Sequence, residues 1–357
     1  MAVDPWYDLA VLKIDASDLL PIKFGDGQRA KKGQIVVALG NPYSVARDAK
    51  ASASWGIVSN LNRHAPRVPR AAPEPQGRPT LHHFGTLIQT DARLNIGYSG
   101  GALINLQGEM IGLTTSYAAR AGSDKAAGFA IPIDENLRRV VELLKQGRKP
   151  EYGFLGVETE QLTADLRRTG QHGAVVRRVF PGTPADRAGL KAGDLITHID
   201  DQQLFVTDDM IRLIAARSPD MPVVISVLRG YQSGRTTSRQ LSAVLTKRFL
   251  RIVRPQYGTA PEPTWRGMRV DYATASPDFA ALAATFDPAN SLFVVDVAKE
   301  SAAWNAGIRA GGYVTRVAGE NVGDPRSFYA LVADKETDVV LEMSTAQGST
   351  RERTVSP

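Results

Sequence analysis

Residues Thr183–Thr197 read Thr-Pro-Ala-Asp-Arg-Ala-Gly-Leu-Lys-Ala-Gly-Asp-Leu-Ile-Thr. They recur 118 positions later as Ser301–Thr315, Ser-Ala-Ala-Trp-Asn-Ala-Gly-Ile-Arg-Ala-Gly-Gly-Tyr-Val-Thr. Self-similarity at that spacing points to two copies of one module of about a hundred residues. Each copy opens on a hydroxyl N-cap, forms a one- to two-turn helix, stops at a glycine (Gly189, Gly307) and runs into a strand. A second capped helix follows in each. Thr207 precedes the apolar positions Met210, Ile211, Leu213 and Ile214, while Asp324 and Pro325 precede Phe328, Leu331 and Val332. A proline-containing joint near Arg254 to Pro263 separates the copies.

Ahead of the repeats the pattern changes. From Asp8 to about Pro132, short apolar runs are broken by Gly, Asn and Pro, as in Val36-Val37-Ala38-Leu39 before Gly40-Asn41-Pro42. Gly56-Ile57-Val58, Leu87-Ile88-Gln89, Ala102-Leu103-Ile104, Met110 to Leu113 and Phe129-Ala130-Ile131 continue the series. Such spacing predicts antiparallel strands in a barrel or sandwich. A Pro-rich loop lies between Arg63 and Thr80. Asp134 then caps a helix whose Leu137, Val140, Val141 and Leu144 share one face, and Gly147 stops it.

Composition narrows the chemistry. The chain has no cysteine, which excludes disulfides, thiol catalysis and zinc–thiolate sites and suits an oxidising compartment. The formal charge of +6 is thinly spread, and the arginines of Arg63 to Arg78 alternate with prolines and lack an aromatic ladder, so no nucleic-acid partner is expected. No histidine–carboxylate cluster has ligand spacing, so neither a metal nor an organic cofactor is expected. There is no apolar run of membrane-spanning length and no signal-type opening.

The sharpest local feature is Asn95-Ile96-Gly97-Tyr98-Ser99-Gly100-Gly101. A serine between glycines on a tight turn can expose its hydroxyl, and the N–H groups of Gly97 and Ser99 can converge on one developing oxyanion. Alone, the run is equally a structural turn. Around it stand, in order, Asp8-Leu-Ala-Val-Leu-Lys-Ile, Ala38-Leu-Gly-Asn-Pro, Gly56-Ile-Val-Ser, Ile88-Gln-Thr-Asp-Ala92, Gly108-Glu-Met-Ile-Gly and Gly128-Phe-Ala-Ile-Pro-Ile-Asp134. This ordered set resembles the HtrA/Deg family of trypsin-like serine endopeptidases. The repeats, with Gly153-Phe-Leu-Gly-Val157 ahead of the first, resemble that family's PDZ domains.

The resemblance implies a mainly β chain: an incomplete trypsin-like (chymotrypsin-type) double β-barrel over 1–148, then two α+β PDZ domains over 149–250 and 264–357. It implies Ser99 as nucleophile, Asp8 as the carboxylate orienting a catalytic imidazole, and Gly97 and Ser99 as the oxyanion hole. Leu94 is either an apolar wall of the specificity pocket or a core leucine. PDZ domains hold a peptide's terminal carboxylate on a glycine-containing loop, here Gly153, Phe154, Leu155 and Gly156. In the second copy the loop is expected at Gly267-Met268-Arg269-Val270, where arginine replaces the last glycine, so the first copy is the expected peptide receptor. Tyr98 stands where digestive enzymes of this type carry an activating aspartate and where the HtrA/Deg pattern has asparagine, so activation by N-terminal insertion is not expected. The family further implies unfolded or damaged polypeptide substrates, a homotrimer or larger assembly, and a periplasmic or otherwise extracytoplasmic location.

One element of the pattern is absent. The family's histidine lies upstream of the aspartate, and His64, His82, His83, His172 and His198 all fall elsewhere. Without an imidazole Ser99 keeps its proton, and turnover falls about a millionfold. The expectation is therefore an N-terminally truncated protease, inactive alone, with unneighboured strands near Leu9 to Ile14. The alternative is a catalytically silent adaptor whose PDZ pair recruits peptides.

Overall fold

The glycine-punctuated apolar runs become the staves of one closed barrel. In the computed structural model, which describes all residues except 46–49, 65–79, 116–127, 232–234, 253–254, 283–286 and 346–348, the chain forms two units. One is Met1–Pro150 with Ile252–Ala260, the other Glu151–Arg251 with Pro261–Pro357. The Pro-rich stretch after Arg63 falls almost wholly outside the described residues.

The first unit starts with a hairpin, β1 (Ala2–Asp4) against β2 (Leu9–Val11). Then come β3 (Ile35–Gly40), β4 (Ser52–Arg63), β5 (Leu87–Thr90), β6 (Ala102–Ile104), β7 (Met110–Thr115) and β8 (Gly128–Pro132). They close in the order β3-β4-β5-β8-β7-β6, all neighbours antiparallel. Period-2 alternation sends Val36, Ala38, Val58, Ile88, Leu103, Ile111 and Ala130 inward to form the core. Helix α1 (Glu135–Lys145) is capped by Asp134, whose Oδ1 accepts from the Leu137 N–H at 2.7 Å, and it buries Leu137, Val140 and Leu144. Among the described residues β2 pairs only with β1, and beyond it Leu12, Ile14 and Leu20 are exposed.

The second unit holds both repeats. The first runs through β9 (Gly153–Phe154), β10 (Val157–Gln161), α2 (Ala164–Arg168), β11 (Ala174–Val179), α3 (Pro184–Arg187), β12 (Leu195–Ile199) and β13 (Gln202–Gln203). It continues with α4 (Thr207–Ala215), β14 (Pro222–Arg229), β15 (Thr237–Val244) and β16 (Thr246–Lys247). The second comprises β17 (Met268–Tyr272), α5 (Phe279–Leu282), β18 (Leu292–Val297), α6 (Ala302–Asn305), β19 (Tyr313–Val317), β20 (Glu320–Asn321), α7 (Pro325–Val332), β21 (Val339–Ser344) and β22 (Thr350–Val355). Their sheets have one topology, β10-β11-β12-β14-β15 and β17-β18-β19-β21-β22. Even the register shifts recur, between Glu158 and Thr159 and between Arg269 and Val270. Each repeat closes on its own apolar core.

Candidate active site and peptide groove

Ser99 lies on the loop between β5 and β6 and is exposed. Hydrogen bonds tie down the rest of that loop. The N–H groups of Tyr98, Gly100 and Gly101 donate to Asn95, Thr114 and Tyr98 oxygens, and the carbonyls of Ile96 and Gly97 accept from Tyr43 and Asn41. The Thr114 hydroxyl also donates to the Tyr98 carbonyl. Among the described residues, the N–H groups of Gly97 and Ser99 donate to no protein acceptor. Gly97 has φ +101°, in the left-handed region that glycine alone enters without strain, and a Cβ there would collide with the Asn41 carbonyl oxygen. Tyr98 is buried in the barrel core, its ring against Gly40. That is the physical use of the residue standing in the aspartate or asparagine position. Leu94 is half-buried; it joins the barrel core and packs on Gly128. A cavity of about 380 Å³ lined by Leu39, Gly40, Asn41, Lys50, Ala51, Gly101 and Ala102 adjoins this loop.

Asp8 ends the turn of the β1–β2 hairpin, exposed and at φ +58°. His82 lies within its electrostatic reach. That ring is buried, with Nε2 2.8 Å from the Tyr7 carbonyl and Nδ1 2.7 Å from the Thr86 hydroxyl. A carbonyl only accepts, so Nε2 carries the proton and Nδ1 accepts from Thr86. Burial drives the His82 pKa down to about 4, against the opposing pull of the Tyr7 carbonyl and Asp8. His82 is therefore a neutral structural group that fastens the hairpin turn to the Leu81–Phe84 segment. The other described histidines are also placed by local partners: His83 by Thr80, His172 by the Phe205 ring, His198 by Thr197, and His64 beside Gly85.

Three of the four predicted loop residues of the first repeat, Phe154, Leu155 and Gly156, come together at the end of a groove of about 340 Å³ between β10 and α4, whereas Gly153 is not part of its lining. Phe154, Leu155, Gly156, Val157 and Thr159 form one wall, and Met210, Ile211 and Ile214 the other. Gly156 has φ +92°, and a Cβ there would strike Thr183, the N-cap of α3. Its carbonyl accepts from Phe180 and that of Leu155 from Ala185, fixing the loop against the following helix. The sequence had shown α4 to be amphipathic without showing that Ile211 faces the groove. Nor did it reveal Arg177 and Arg248, which line the groove as well.

The second repeat differs in two respects. Its loop register is Thr264-Trp265-Arg266-Gly267, not Gly267 to Val270. Gly267 has φ +81° and faces Ser301, its carbonyl accepts from Ala298, and that of Arg266 accepts from Ala303, which makes it the counterpart of Gly156. Its groove is also occupied from within. Tyr329, which is 118 positions after Ile211, receives the Val270 N–H at 3.2 Å and donates its hydroxyl to the Pro263 carbonyl at 2.8 Å. Val270 occupies the register position of Thr159, on the strand edge that an added peptide would use.

An antiparallel barrel presenting a glycine-flanked serine, followed by a groove along a strand edge, defines a PDZ-bearing protein of the trypsin-like class. The trypsin-like peptidase domain family matches residues 1–113, and the PDZ domain family matches residues 153–237. Serine endoprotease DegS of Haemophilus influenzae is 34% identical over 228 residues, covering 63% of this chain and 61% of the relative. A probable periplasmic serine endoprotease, DegP-like, of Halomonas elongata is 30% identical over 344 residues, covering 95% of this chain and 66% of the relative. The chain thus spans less than two thirds of the length of either curated relative. A solved structure of the HtrA-type protease AlgW with tripeptide aligns at TM-score 0.51 and 31% identity, covering 68% of this chain and 75% of that one. The chain belongs to the HtrA/Deg family of trypsin-like serine endopeptidases. The expectation of two PDZ domains is corrected to one, at 153–237; the second repeat keeps the strand order with its groove filled by its own tyrosine.

Proposed function

We propose that this chain carries the nucleophile and oxyanion hole of a serine endopeptidase acting on unfolded or damaged polypeptides, together with a PDZ groove for peptide C-termini. The observation that carries the reading is the Ser99 loop: an exposed serine where, among the described residues, the Gly97 and Ser99 N–H groups donate to no protein acceptor while those of Tyr98, Gly100 and Gly101 are bonded. Attack by Ser99 Oγ on a substrate carbonyl would place the oxyanion at those two donors, while an imidazole oriented by Asp8 takes the hydroxyl proton. The buried placement of His82 against the Tyr7 carbonyl and the Thr86 hydroxyl supports the reading that it is not that imidazole. These 357 residues alone are therefore expected to hold peptide and not to cleave it. The relatives' periplasmic names and the absence of cysteine support an extracytoplasmic setting. No helix among the described residues is long and apolar enough to cross a membrane.

A fluorophosphonate probe tests the catalytic half, because it labels an activated serine and passes over an unactivated one. No labelling of this chain is expected; stoichiometric labelling at Ser99 would show that a base is already present. The second reading, a peptide-recruiting adaptor, is favoured by the open first groove. It is separated by adding exogenous imidazole, which should restore slow Ser99-dependent labelling if the oxyanion hole is functional and none if the loop is only a turn.

A further inference from the structure

The peptide loop of the first repeat is not supported by that repeat alone. Its first strand, β9, has β16 as its sheet partner, with Thr246 opposite Phe154 and Lys247 opposite Gly153. Lys247 binds the second repeat: its Nζ lies 2.5 Å from Asp271 on β17 as well as 2.7 Å from Glu151, and its carbonyl accepts from the Thr274 hydroxyl at 2.7 Å. Burial would lower the Lys247 pKa, but the two carboxylates outweigh it and hold the pKa above its ordinary value, so the clamp is charged.

The stronger contact is aromatic. Phe279 of α5 is buried between two rings of the first repeat, edge-on to Phe154 at 5.7 Å and tilted against Phe180 at 5.9 Å. Phe154 lines the peptide groove, and Phe180 donates its N–H to the Gly156 carbonyl. One ring from the second repeat therefore bears on both ends of the loop that would receive a carboxylate. The arrangement is not inherent to the fold. In the second repeat the counterpart of Phe154 is Trp265, which stacks edge-on against Phe328 of its own helix α7.

We infer that Phe279 is a positioning residue for peptide capture: the second repeat, its own groove filled, holds the first repeat's carboxylate loop in binding geometry. This rests on the proposed peptide-binding reading of the first groove. Preorganisation of this kind raises affinity by removing the cost of ordering the loop when ligand arrives.

The test uses the full chain and fluorescein-labelled octapeptides ending in Val, Leu or Phe, each as free carboxylate and as amide. Anisotropy should show that Phe279→Ala weakens binding of the best free-carboxylate peptide about tenfold, the size expected of a buried aromatic pair. Phe279→Leu, which keeps apolar bulk, should weaken it less. Hydrogen exchange at Phe154–Gly156 should quicken in the alanine variant. Val355→Ala, which hollows the second repeat's core outside the aromatic cluster, should leave both readings unchanged. Equal affinity and equal loop exchange in wild type and Phe279→Ala would overturn the inference while leaving the peptide reading intact. Failure of the wild-type chain to prefer any free carboxylate over its amide would overturn the peptide reading, and the inference with it. An equal loss in Val355→Ala would reduce Phe279 to a general stabiliser.

Discussion

At Gly97 an added methyl meets the Asn41 carbonyl in a backbone region that costs an L residue roughly 1–3 kcal/mol. Gly97→Ala is therefore expected to lower the barrel's melting temperature by several degrees and to abolish any imidazole-rescued labelling of Ser99, both readable on one sample. His82 sets a pH dependence with a definite sign. Its folded pKa of about 4 lies below the ordinary 6.5, so the unfolded chain binds the extra proton. The stability of the neutral ring is fully present above pH 6.5 and is lost as pH falls towards 4, by about 3 kcal/mol across that window. Urea melts at pH 7 and pH 4.5 should show this loss, and His82→Gln should flatten it; an unchanged slope in the variant would assign the effect to other groups. The two residues differ in how legible they were. The demand for glycine around Ser99 is local, so the spacing displayed it, whereas the role of His82 depends on Tyr7, which is 75 positions away.

Caps and periodicity made the helices readable as elements. Asp134 was identified as an N-cap from sequence, and it bonds the Leu137 N–H as that predicts; Asp134→Ala should cost about 1 kcal/mol by denaturant titration. The second repeat's loop was harder. Between β17 and β18 the chain holds α5 and two 3₁₀ turns where the first repeat has only α2, so the spacing that relates the repeats after Ser301 does not hold before it, and Gly267 is the last loop glycine instead of the first. Tyr329 was invisible for another reason: helical periodicity marks which side of α7 is apolar but not which side chain reaches across to β17. Tyr329→Phe removes the partner of the Val270 N–H, which predicts faster hydrogen exchange at that amide and a loss of about 1 kcal/mol from the second repeat. If Val270 exchange stays unchanged, the groove is not held shut by that hydroxyl.

For the whole molecule, local patterns carried the class and long-range returns carried what they missed. Strand spacing and the repeat indicated a strand-rich region followed by two similar modules, and the trypsin-like barrel and PDZ domain came from the resemblance carried by the Ser99 loop and its ordered flanking motifs. The return of Ile252–Ala260 to the barrel unit followed from neither, because it is fixed by groups at the opposite end of the sequence. Val3 and Tyr257 exchange N–H···O bonds at 2.9 and 3.1 Å, Ala260 donates to the Gly147 carbonyl, and Gln256 Nε2 donates both to the Pro150 carbonyl and to Asp4. Asp4 is wholly buried, and the same oxygen also accepts from the Trp6 N–H at 3.1 Å. Removing a donor from a buried carboxylate costs about 1–3 kcal/mol. Gln256→Ala, although it lies between the two repeats in sequence, should therefore destabilise the barrel unit and speed hydrogen exchange across Ala2–Val11, while the repeats' own exchange stays as in wild type. Two units that unfold separately would show this as a shift in one transition of a urea melt and not the other. A shift confined to the repeats would mean that the segment belongs to them, and that the Asp4 contact contributes nothing to the barrel.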